Sequence, residues 1–273
     1  MKNLEEMAKG IFPLKQTSLV HCITNDVTIE TMANALLYIN AQPIMTSDVR
    51  EFPVLFKQIN SLVLNLGSLS KEREQSLLTA AKMSFKQIPF VVDIVGVTSA
   101  PTAYQLSKQL SRQKPNVIKG NISELRAFCG LKTTGKGVDS SRSDQNEDKL
   151  EELVKALKQE DSATTYLATG KKDIIVAKDN TWIMENGVNE LQRFIGTGDL
   201  LGALIAALLG VQFNAETAVV LALSYLNICA EYASKKLTSN TGLADFRQET
   251  LNQLSLLGKE DKEWFRQMRG GKQ

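Results

Sequence analysis

The sequence is poor in the residues that build disulfide scaffolds and metal clusters. Its 273 residues include only three cysteines and one histidine. A chain of this length with so few cysteines is not a disulfide scaffold, and it offers no CxxC pair or Cys/His cluster to a metal ion. The single histidine also excludes any mechanism that needs two.

Charge of one sign and long apolar runs are also scarce. The 32 Lys and Arg residues nearly balance 30 Asp and Glu residues, for a formal net charge of +2, so no broad field points to nucleic acid or to an anionic membrane. The most apolar run, 200–211, is shorter than the roughly twenty residues that span a bilayer, and we interpret it as a buried core helix. Acidic residues near the N-terminus stand where a signal peptide has its apolar core. We expect a soluble cytoplasmic protein with neither a nucleic-acid nor a membrane partner.

The hydrophobic residues, 43% of the chain, are enough for a globular core and lie in two alternating patterns. Short apolar runs ending in Gly, Ser, Thr or Asp alternate with segments of helical spacing, in one of which Met32, Leu36 and Leu37 are predicted to share a face. This alternation predicts a parallel sheet covered by helices on both sides. The predicted strands lie within residues 42–48, 62–70, 90–98, 116–124, 164–170 and 173–179.

Two features depart from this alternation. Residues 165–187 have the pattern of consecutive strands with a turn at 178–180, which predicts an antiparallel edge on the sheet. From Leu200 onward the pattern is almost wholly helical. Because there is no repeat and no linker rich in Pro, Gly or Ser, we predict one α/β domain over residues 1–273, with a frayed tail at about 266–273.

The sharpest local signal is a Gly-Thr-Gly-Asp turn, 196–199, that opens directly into the apolar run. A helix N-terminus carries unpaired N–H groups and a partial positive charge, and glycine lets the backbone approach an anion closely, so such a turn can hold a phosphate. Asp199, in the first helical turn, is a candidate proton acceptor for a substrate hydroxyl. The alternative is that Asp199 is only a helix N-cap.

Polar residues at the ends of the predicted strands favour the ligand-binding interpretation. Open α/β sheets bind ligands at the carboxyl ends of their strands, where Asp93, Asn121, Glu124 and Thr169 stand. The carboxylates of Asp93 and Glu124 suit Mg²⁺, bound directly or through water. For Glu124 the alternative is a structural role, because Asn-Ile-Ser-Glu is typical of a helix start.

The histidine and the cysteines have simpler interpretations. We expect His21 to donate a hydrogen bond that orients a loop, because a general base needs a placed partner that the sequence does not show. Cys22, Cys129 and Cys229 stand among apolar residues, which is typical of buried, inert thiols.

Eight motifs, in order along the chain, go beyond these local signals. They are VHCITNDVTIETMAN (20–34), QPIMTSD (42–48), LVLNLGSL (62–69), VVDIVGV (91–97), VIKGNISEL (117–125), KGVDSS (136–141), LATG (167–170) and IGTGDLLGALIAALLG (195–210). In these motifs, and in their order, the sequence resembles the hydroxyethylthiazole kinase family, thiamin-salvage enzymes of the ribokinase-like superfamily.

The resemblance implies a three-layer α/β/α ribokinase-like fold and a kinase activity. The family uses ATP and Mg²⁺ to phosphorylate the primary hydroxyl of 4-methyl-5-(2-hydroxyethyl)thiazole, and it forms homotrimers with thiazole sites near the subunit interfaces. We expect the turn 196–199 to be the anion hole. The remaining expected roles are general base for Asp199, substrate binding for Met45, Gly196 and Asn25, ATP binding for Lys119, Thr169, Asn121 and Gly198, and metal binding for Asp93 and Glu124.

The sequence departs from the family pattern at several positions. Where many members have Cys, position 199 is Asp, which favours the proton-accepting role because a carboxylate is ionised at neutral pH. Lys119 replaces the usual Arg and keeps the charge without the bidentate fork, Ile94 replaces a Pro, and the family's Gly-Pro-Gly-Ser-Phe is only loosely present in 241–246. These departures leave three alternatives open: a ribokinase-like kinase for a pyrimidine or pyridoxine alcohol, an ADP- or ATP-dependent NAD(P)H-hydrate dehydratase, and a thiazole or nucleotide binder without turnover.

Overall fold

A nine-stranded sheet forms the centre of the protein. The computed structural model describes residues 6–85, 87–133, 144 and 146–273, and the KGVDSS motif at 136–141 therefore lies outside the described residues. The strands are β1 (Leu19–Ile23), β2 (Gln42–Ile44), β3 (Ser61–Asn65), β4 (Phe90–Asp93), β5 (Val117–Asn121), β6 (Thr165–Thr169), β7 (Asp173–Val176), β8 (Thr181–Met184) and β9 (Gly270–Lys272). Their spatial order is β2-β1-β3-β4-β5-β6-β7-β8-β9.

The sheet is parallel from β2 to β6 and antiparallel from β6 to β9. Strands β7 and β8 form a hairpin in which the N–H of Ala177 donates to the carbonyl of Asn180 at 2.9 Å. The predictions of a mostly parallel sheet, an antiparallel edge and a turn at 178–180 are confirmed.

The helices cover both faces of the sheet. They include α1 (Ile29–Tyr38), α2 (Phe52–Leu55), α3 (Lys71–Ser84), α4 (Pro101–Ser111), α5 (Ile122–Phe128), α6 (Glu147–Leu157), α7 (Thr197–Gly210), α8 (Ala215–Lys235) and α9 (Leu243–Glu260), with short 3₁₀ helices at Asn189–Arg193 and Trp264–Gln267. Neighbouring strand residues face opposite layers: in β3, Val63 belongs to the hydrophobic cluster that contains residues of α1, α7 and α8, whereas Leu62 and Leu64 belong to the cluster that contains residues of α3 to α6. This alternation produces the predicted three-layer α/β/α fold.

The two most apolar helices are core helices. Every residue of α7 from Asp199 to Leu209 is buried, which confirms the interpretation of the apolar run. Helix α8 is long and apolar enough to cross a membrane by length and composition, yet 83% of its most apolar window is buried inside the protein. The apolar side chains of α8 are therefore buried by packing against α7, α9 and the sheet.

The structure of the C-terminal tail contradicts the prediction that this segment is frayed. The tail does not fray at 266–273, because Gly270–Lys272 pair with β8 and Trp264, just before, is fully buried. The backbone N–H of Arg269 donates to Asn186 Oδ1 at 2.6 Å, and its guanidinium pairs with Glu231 at 2.6 Å. A three-residue edge strand is ordered by its pairing with the neighbouring strand. The tail sequence is polar and contains glycines, so it has no hydrophobic periodicity that would predict a strand.

Candidate active site

Helix α7 begins at the carboxyl ends of the parallel strands with a glycine that no other residue could easily replace. Gly196, the N-cap, has φ +102°, and a Cβ there would lie 2.9 Å from Thr28 Cγ2. The N–H of Leu200 donates to the Gly196 carbonyl at 2.8 Å, and no side chain caps this end of the helix. The first-turn amides of residues 197–199 have no intrahelical partners by position, so α7 presents open N–H groups and a partial positive charge.

The side chain of Asp199 is held by hydrogen bonds from outside its own helix, from the end of β3 and from the connection after β1. Its Oδ1 accepts a hydrogen bond from Asn65 Nδ2 at 2.7 Å, and its Oδ2 accepts one from Asn25 Nδ2 at 3.0 Å and a short one from Thr28 Oγ1. Because the carboxylate caps nothing in its own helix, the interpretation of Asp199 as an ordinary N-cap is wrong.

The surroundings of Asp199 make its carboxylate a stronger base than a free one. Burial is the largest cause that raises the pKa of Asp199 above the ordinary carboxyl value, and the nearby charge of Asp93 adds to it. The hydrogen bonds from Thr28 and Asn25 and the charge of Lys119 oppose this rise. A general base works best when its pKa approaches the operating pH, so the net direction suits proton abstraction.

A buried ion pair lies beside the helix start. Lys119 Nζ is 2.5 Å from Asp93 Oδ2, and both side chains are almost completely buried. The two residues are directly paired between β5 and β4. A Cβ on Gly198 would lie 3.4 Å from Lys119 Nζ and 3.7 Å from Asp93 Oδ2, so the ion pair sits directly against the first turn of α7.

Glu124 has the structural role that the sequence suggested as the alternative. Its carboxylate accepts the backbone N–H of Asn121 at 2.8 Å, and the Asn121 side chain accepts the N–H of Glu124 at 2.9 Å, which forms a capping box at the start of α5. Glu124 also accepts the N–H of Gly96 at 2.9 Å. Burial first, and the charge of Asp93 second, raise the pKa of Glu124 to about 7.

Asp93 and Glu124 form a carboxylate pair of limited capacity for a metal ion. Their oxygens already accept hydrogen bonds from backbone N–H groups and from Lys119. Among the described residues, no group of three or more His, Cys, Asp or Glu side chains could hold a metal by itself. This donor set fits Mg²⁺, which keeps several waters and usually takes one or two carboxylates together with substrate phosphates.

Two further predicted site residues are Thr169, at the end of β6, and Met45, after β2. Thr169 is directly paired with Asn121 across β6 and β5, and its hydroxyl lies 3.4 Å from the Gly120 carbonyl. Met45 is half-buried against the core and directly precedes Thr46.

His21 and the cysteines follow the simpler interpretations for the most part. His21 Nε2 lies 2.8 Å from the Thr46 carbonyl, which confirms a loop-orienting hydrogen bond, and burial lowers the pKa of the imidazole. Cys22 and Cys229 are buried, whereas Cys129 is only half-buried.

Sequence reasoning missed two of the three side chains that hold Asp199. Thr28 and Asn65 both lie inside motifs that support the family resemblance, but neither received a role of its own. Asn65 carried a usable signal, since it is the polar residue that ends the buried run LVLN, at the strand end where α/β folds bind ligands. Thr28 carried none, because only the fold brings it to a residue 171 positions away.

Comparison with known proteins agrees with this geometry. The sequence model of the hydroxyethylthiazole kinase family matches residues 14–260. The chain is 51% identical to the hydroxyethylthiazole kinase of Enterococcus faecalis, covering 95% of this chain and 96% of that protein. It is 50% identical to the one of Lacticaseibacillus casei, covering 96% and 94%. The structure of the Pyrococcus horikoshii hydroxyethylthiazole kinase superposes with a TM-score of 0.84 and 25% identity over 100% of both chains. The chain belongs to the hydroxyethylthiazole kinase family.

Proposed function

We propose that this protein transfers the γ-phosphoryl group of ATP to the primary hydroxyl of 4-methyl-5-(2-hydroxyethyl)thiazole in thiamin salvage, with Asp199 as the general base. The observation that carries the proposal is the direction of the Asp199 carboxylate. It is held by Asn25, Thr28 and Asn65 beside the open N-terminus of α7, where an alcohol and a phosphate would meet.

The rim of the site suits a substrate with an apolar ring. Val27 and Ile195 are 68% and 73% exposed, and each directly precedes a residue of the site, Thr28 or Gly196. Together with Met45, Gly196 and Asn25, they would contact the thiazole. Relatives about half identical to this chain carry the name of hydroxyethylthiazole kinases, which supports this alcohol over other small alcohols.

The chemical step is an in-line displacement. The hydroxyl oxygen of the alcohol forms a bond to the γ-phosphorus as its proton moves to the Asp199 carboxylate. The bond between the γ-phosphorus and the β–γ bridging oxygen breaks, and ADP leaves with that electron pair. The amides of residues 197–199 stabilise the charge on the transferring group.

The nucleotide would lie over the strand ends next to this turn. Lys119 would contribute positive charge from beneath Gly198, and Thr169 and Asn121 would contact ATP at the ends of β6 and β5. Asp93 and Glu124 would hold Mg²⁺, mostly through water, and the ion would neutralise phosphate charge when bound.

The assembly that we propose is a homotrimer in the cytoplasm, where ATP is available. Exposed apolar side chains at the rim of the site, Val27 and Ile195, suit a neighbouring subunit that covers the thiazole. Sedimentation equilibrium of the purified protein measures the state: a mass of three chains supports the trimer and a mass of one chain contradicts it.

The decisive test replaces the base. We expect Asp199→Asn to lower kcat by roughly 10²–10⁴, the range for a placed general base, because an amide cannot take the proton. Product is measured as thiazole monophosphate by mass spectrometry, and calorimetric ATP binding together with thermal unfolding shows that the variant keeps its site. Asp161→Asn makes the same change at a turn far from the site, where an amide oxygen can still accept the Ala163 N–H, and should leave kcat unchanged. A folded Asp199→Asn variant with the original kcat would remove Asp199 from the mechanism.

A substrate panel separates the remaining alternatives. Phosphorylation of hydroxymethylpyrimidine or pyridoxine with a higher kcat/KM than the thiazole alcohol would indicate a different kinase. Conversion of hydrated NADH would indicate the dehydratase. Binding of thiazole alcohol and ATP without any ADP release would indicate a binder that has no turnover.

A further inference from the structure

We propose that Asn65 is the positioning residue for Asp199: it holds the carboxylate in one orientation and leaves Oδ1 as the oxygen that receives the proton of the alcohol. This inference rests on the proposed function, in which Asp199 is the base, and adds a role for a residue at the end of β3.

The first step is the number of hydrogen bonds at each carboxylate oxygen. An ionised carboxylate has two oxygens with about four acceptor positions between them. Oδ2 accepts from both Asn25 and Thr28, so both of its positions are used. Among the described residues, Oδ1 accepts only from Asn65. One acceptor position therefore remains, and it is on Oδ1.

The second step is that the orientation of the Asn65 amide is determined. Its side-chain Oδ1 accepts the N–H of Gly67 at 2.8 Å, which leaves Nδ2 to donate to Asp199. A rotated amide would turn an NH₂ group toward the Gly67 N–H and an oxygen toward a carboxylate, and would lose both hydrogen bonds.

The third step is rigidity. Asn65 is completely buried, ends a strand between two neighbours, and its carbonyl accepts Arg73 Nη2 at 3.0 Å. A Cβ on Gly67 would lie 2.9 Å from Asn65 Oδ1, so the backbone packs closely against this amide. Asn25 and Thr28, in contrast, lie in the connection after β1. Of the three donors, Asn65 is the one that belongs to the sheet.

The proposal predicts a change in the pH profile of the reaction. A hydrogen bond to the ionised form lowers the pKa of a carboxyl group, and a like charge beside it raises that pKa. Asn65→Asp keeps an oxygen for the Gly67 N–H but replaces the donor to Asp199 by a second carboxyl group. Because the base must be ionised to act, the acidic limb of the kcat profile should move to higher pH. In the described part of the chain, the other ionisable groups near Asp199 are Asp93, Lys119, Arg73 and Cys22, and the variant leaves them unchanged.

The experiment measures kcat and KM of wild type and Asn65→Asp from pH 5 to pH 9 with ATP and hydroxyethylthiazole. We expect the acidic limb to rise by about one pH unit or more, with kcat reduced roughly 10-fold or more at pH values on that limb and recovered at high pH, and with KM for the alcohol little changed. Asn116→Asp is the matched control, because Asn116 Oδ1 also accepts a backbone N–H on the same sheet, that of Phe90 at 3.0 Å, away from Asp199. Its profile should be that of wild type.

Asn65→Ser, which is too short to reach Asp199, carries the test if Asn65→Asp does not fold, and its acidic limb should move in the same direction. An unchanged profile in a folded Asn65 variant, or a raised KM with an unchanged kcat, would overturn the positioning role. If Asp199→Asn is inactive at the same time, the proposed function stands without it. If Asp199→Asn is fully active, Asp199 is not the general base, and it is the proposed function that fails.

Discussion

At the scale of single residues, the direction of a side chain decides what an acidic residue does. Asp199 and Glu124 both lie in the first turn of a helix, where either could serve as a cap. Glu124 does so, since its carboxylate accepts the N–H of the N-cap residue. Asp199 instead turns toward three donors from β3 and the connection after β1. For both residues the sequence offered a role at a helix start beside a functional one, proton acceptor for Asp199 and metal ligand for Glu124, and only their neighbours in space separate the two cases.

Gly196 offers a prediction at this scale. Gly196→Ala places a Cβ at φ +102° and 2.9 Å from Thr28 Cγ2, so we expect it to destabilise the fold by about 1–2 kcal/mol through the left-handed backbone. It should also displace Thr28 from Asp199 and lower kcat by more than 10-fold, roughly the effect of misplacing a catalytic group. Urea unfolding and steady-state kinetics measure the two effects.

The matched control for this substitution is Gly130→Ala. Gly130 has φ +73°, and a Cβ there would meet no atom of the described residues within 4 Å. It should lose similar stability and keep its kcat. Equal kcat losses in the two variants would contradict a specific contact between Gly196 and Thr28.

At the scale of helices and strands, pattern was informative wherever burial was periodic. Strands β2 to β8 all lie where apolar runs or the strand pattern of 165–187 predicted them. Strand β1 was not predicted as a strand, and the shared face predicted for α1 is wrong at Leu37, which is 55% exposed beside a fully buried Leu36. Successive helix positions are about 100° apart, and because α1 packs by one face only, this step turns Leu37 away from the core that Leu36 faces.

The pairing of β4 with β5 leads to a second prediction. Lys119→Met leaves the Asp93 carboxylate buried and unpaired, and we expect it to lower the free energy of unfolding by about 3–5 kcal/mol. Adding Asp93→Asn should recover part of that loss, since the uncompensated charge is then gone. Chemical denaturation of the two single variants and the double variant measures the coupling.

An exposed pair provides the comparison. Lys155 and Glu151 lie 3.8 Å apart with both side chains more than 70% exposed, so Lys155→Met should cost no more than about 0.5 kcal/mol. Losses that simply add in the double variant at 93 and 119 would show that the buried pair is not coupled.

At the scale of the whole molecule, buried carboxyl groups make stability depend on pH. Asp173 in β7 is fully enclosed, and burial raises its pKa to about 7, against hydrogen bonds from Gly170 and Asn227 that lower it. In the unfolded chain the same group ionises near its ordinary value of 3.8. Its contribution to stability is therefore complete below about pH 4 and is lost as the pH rises through 7.

Asp173→Asn should remove this dependence. Between about pH 4 and pH 7, the fall in unfolding free energy with pH should be less steep than in wild type by about 1.4 kcal/mol per pH unit, the value for one proton. A slope remains because the pKa of Glu124, also raised to about 7, acts in the same direction. Urea unfolding across this pH range tests the prediction, with the exposed Asp179→Asn as control. A variant slope equal to that of wild type would contradict it.

The sequence by itself determined the layers of this protein and the location of its candidate site. Alternation of apolar runs encodes a two-faced sheet, and the open turn at 196–199 marks a helix start, because both depend on chemistry within a few neighbouring residues. Tertiary structure alone decided how the polar residues are used. The pairing of Lys119 with Asp93, the edge strand β9 and the contacts of Thr28 and Asn65 with Asp199 all join residues far apart in the chain. Such contacts depend on the register of the strands and on how α7 packs against the sheet. Neither can be predicted from a pattern of neighbouring residues.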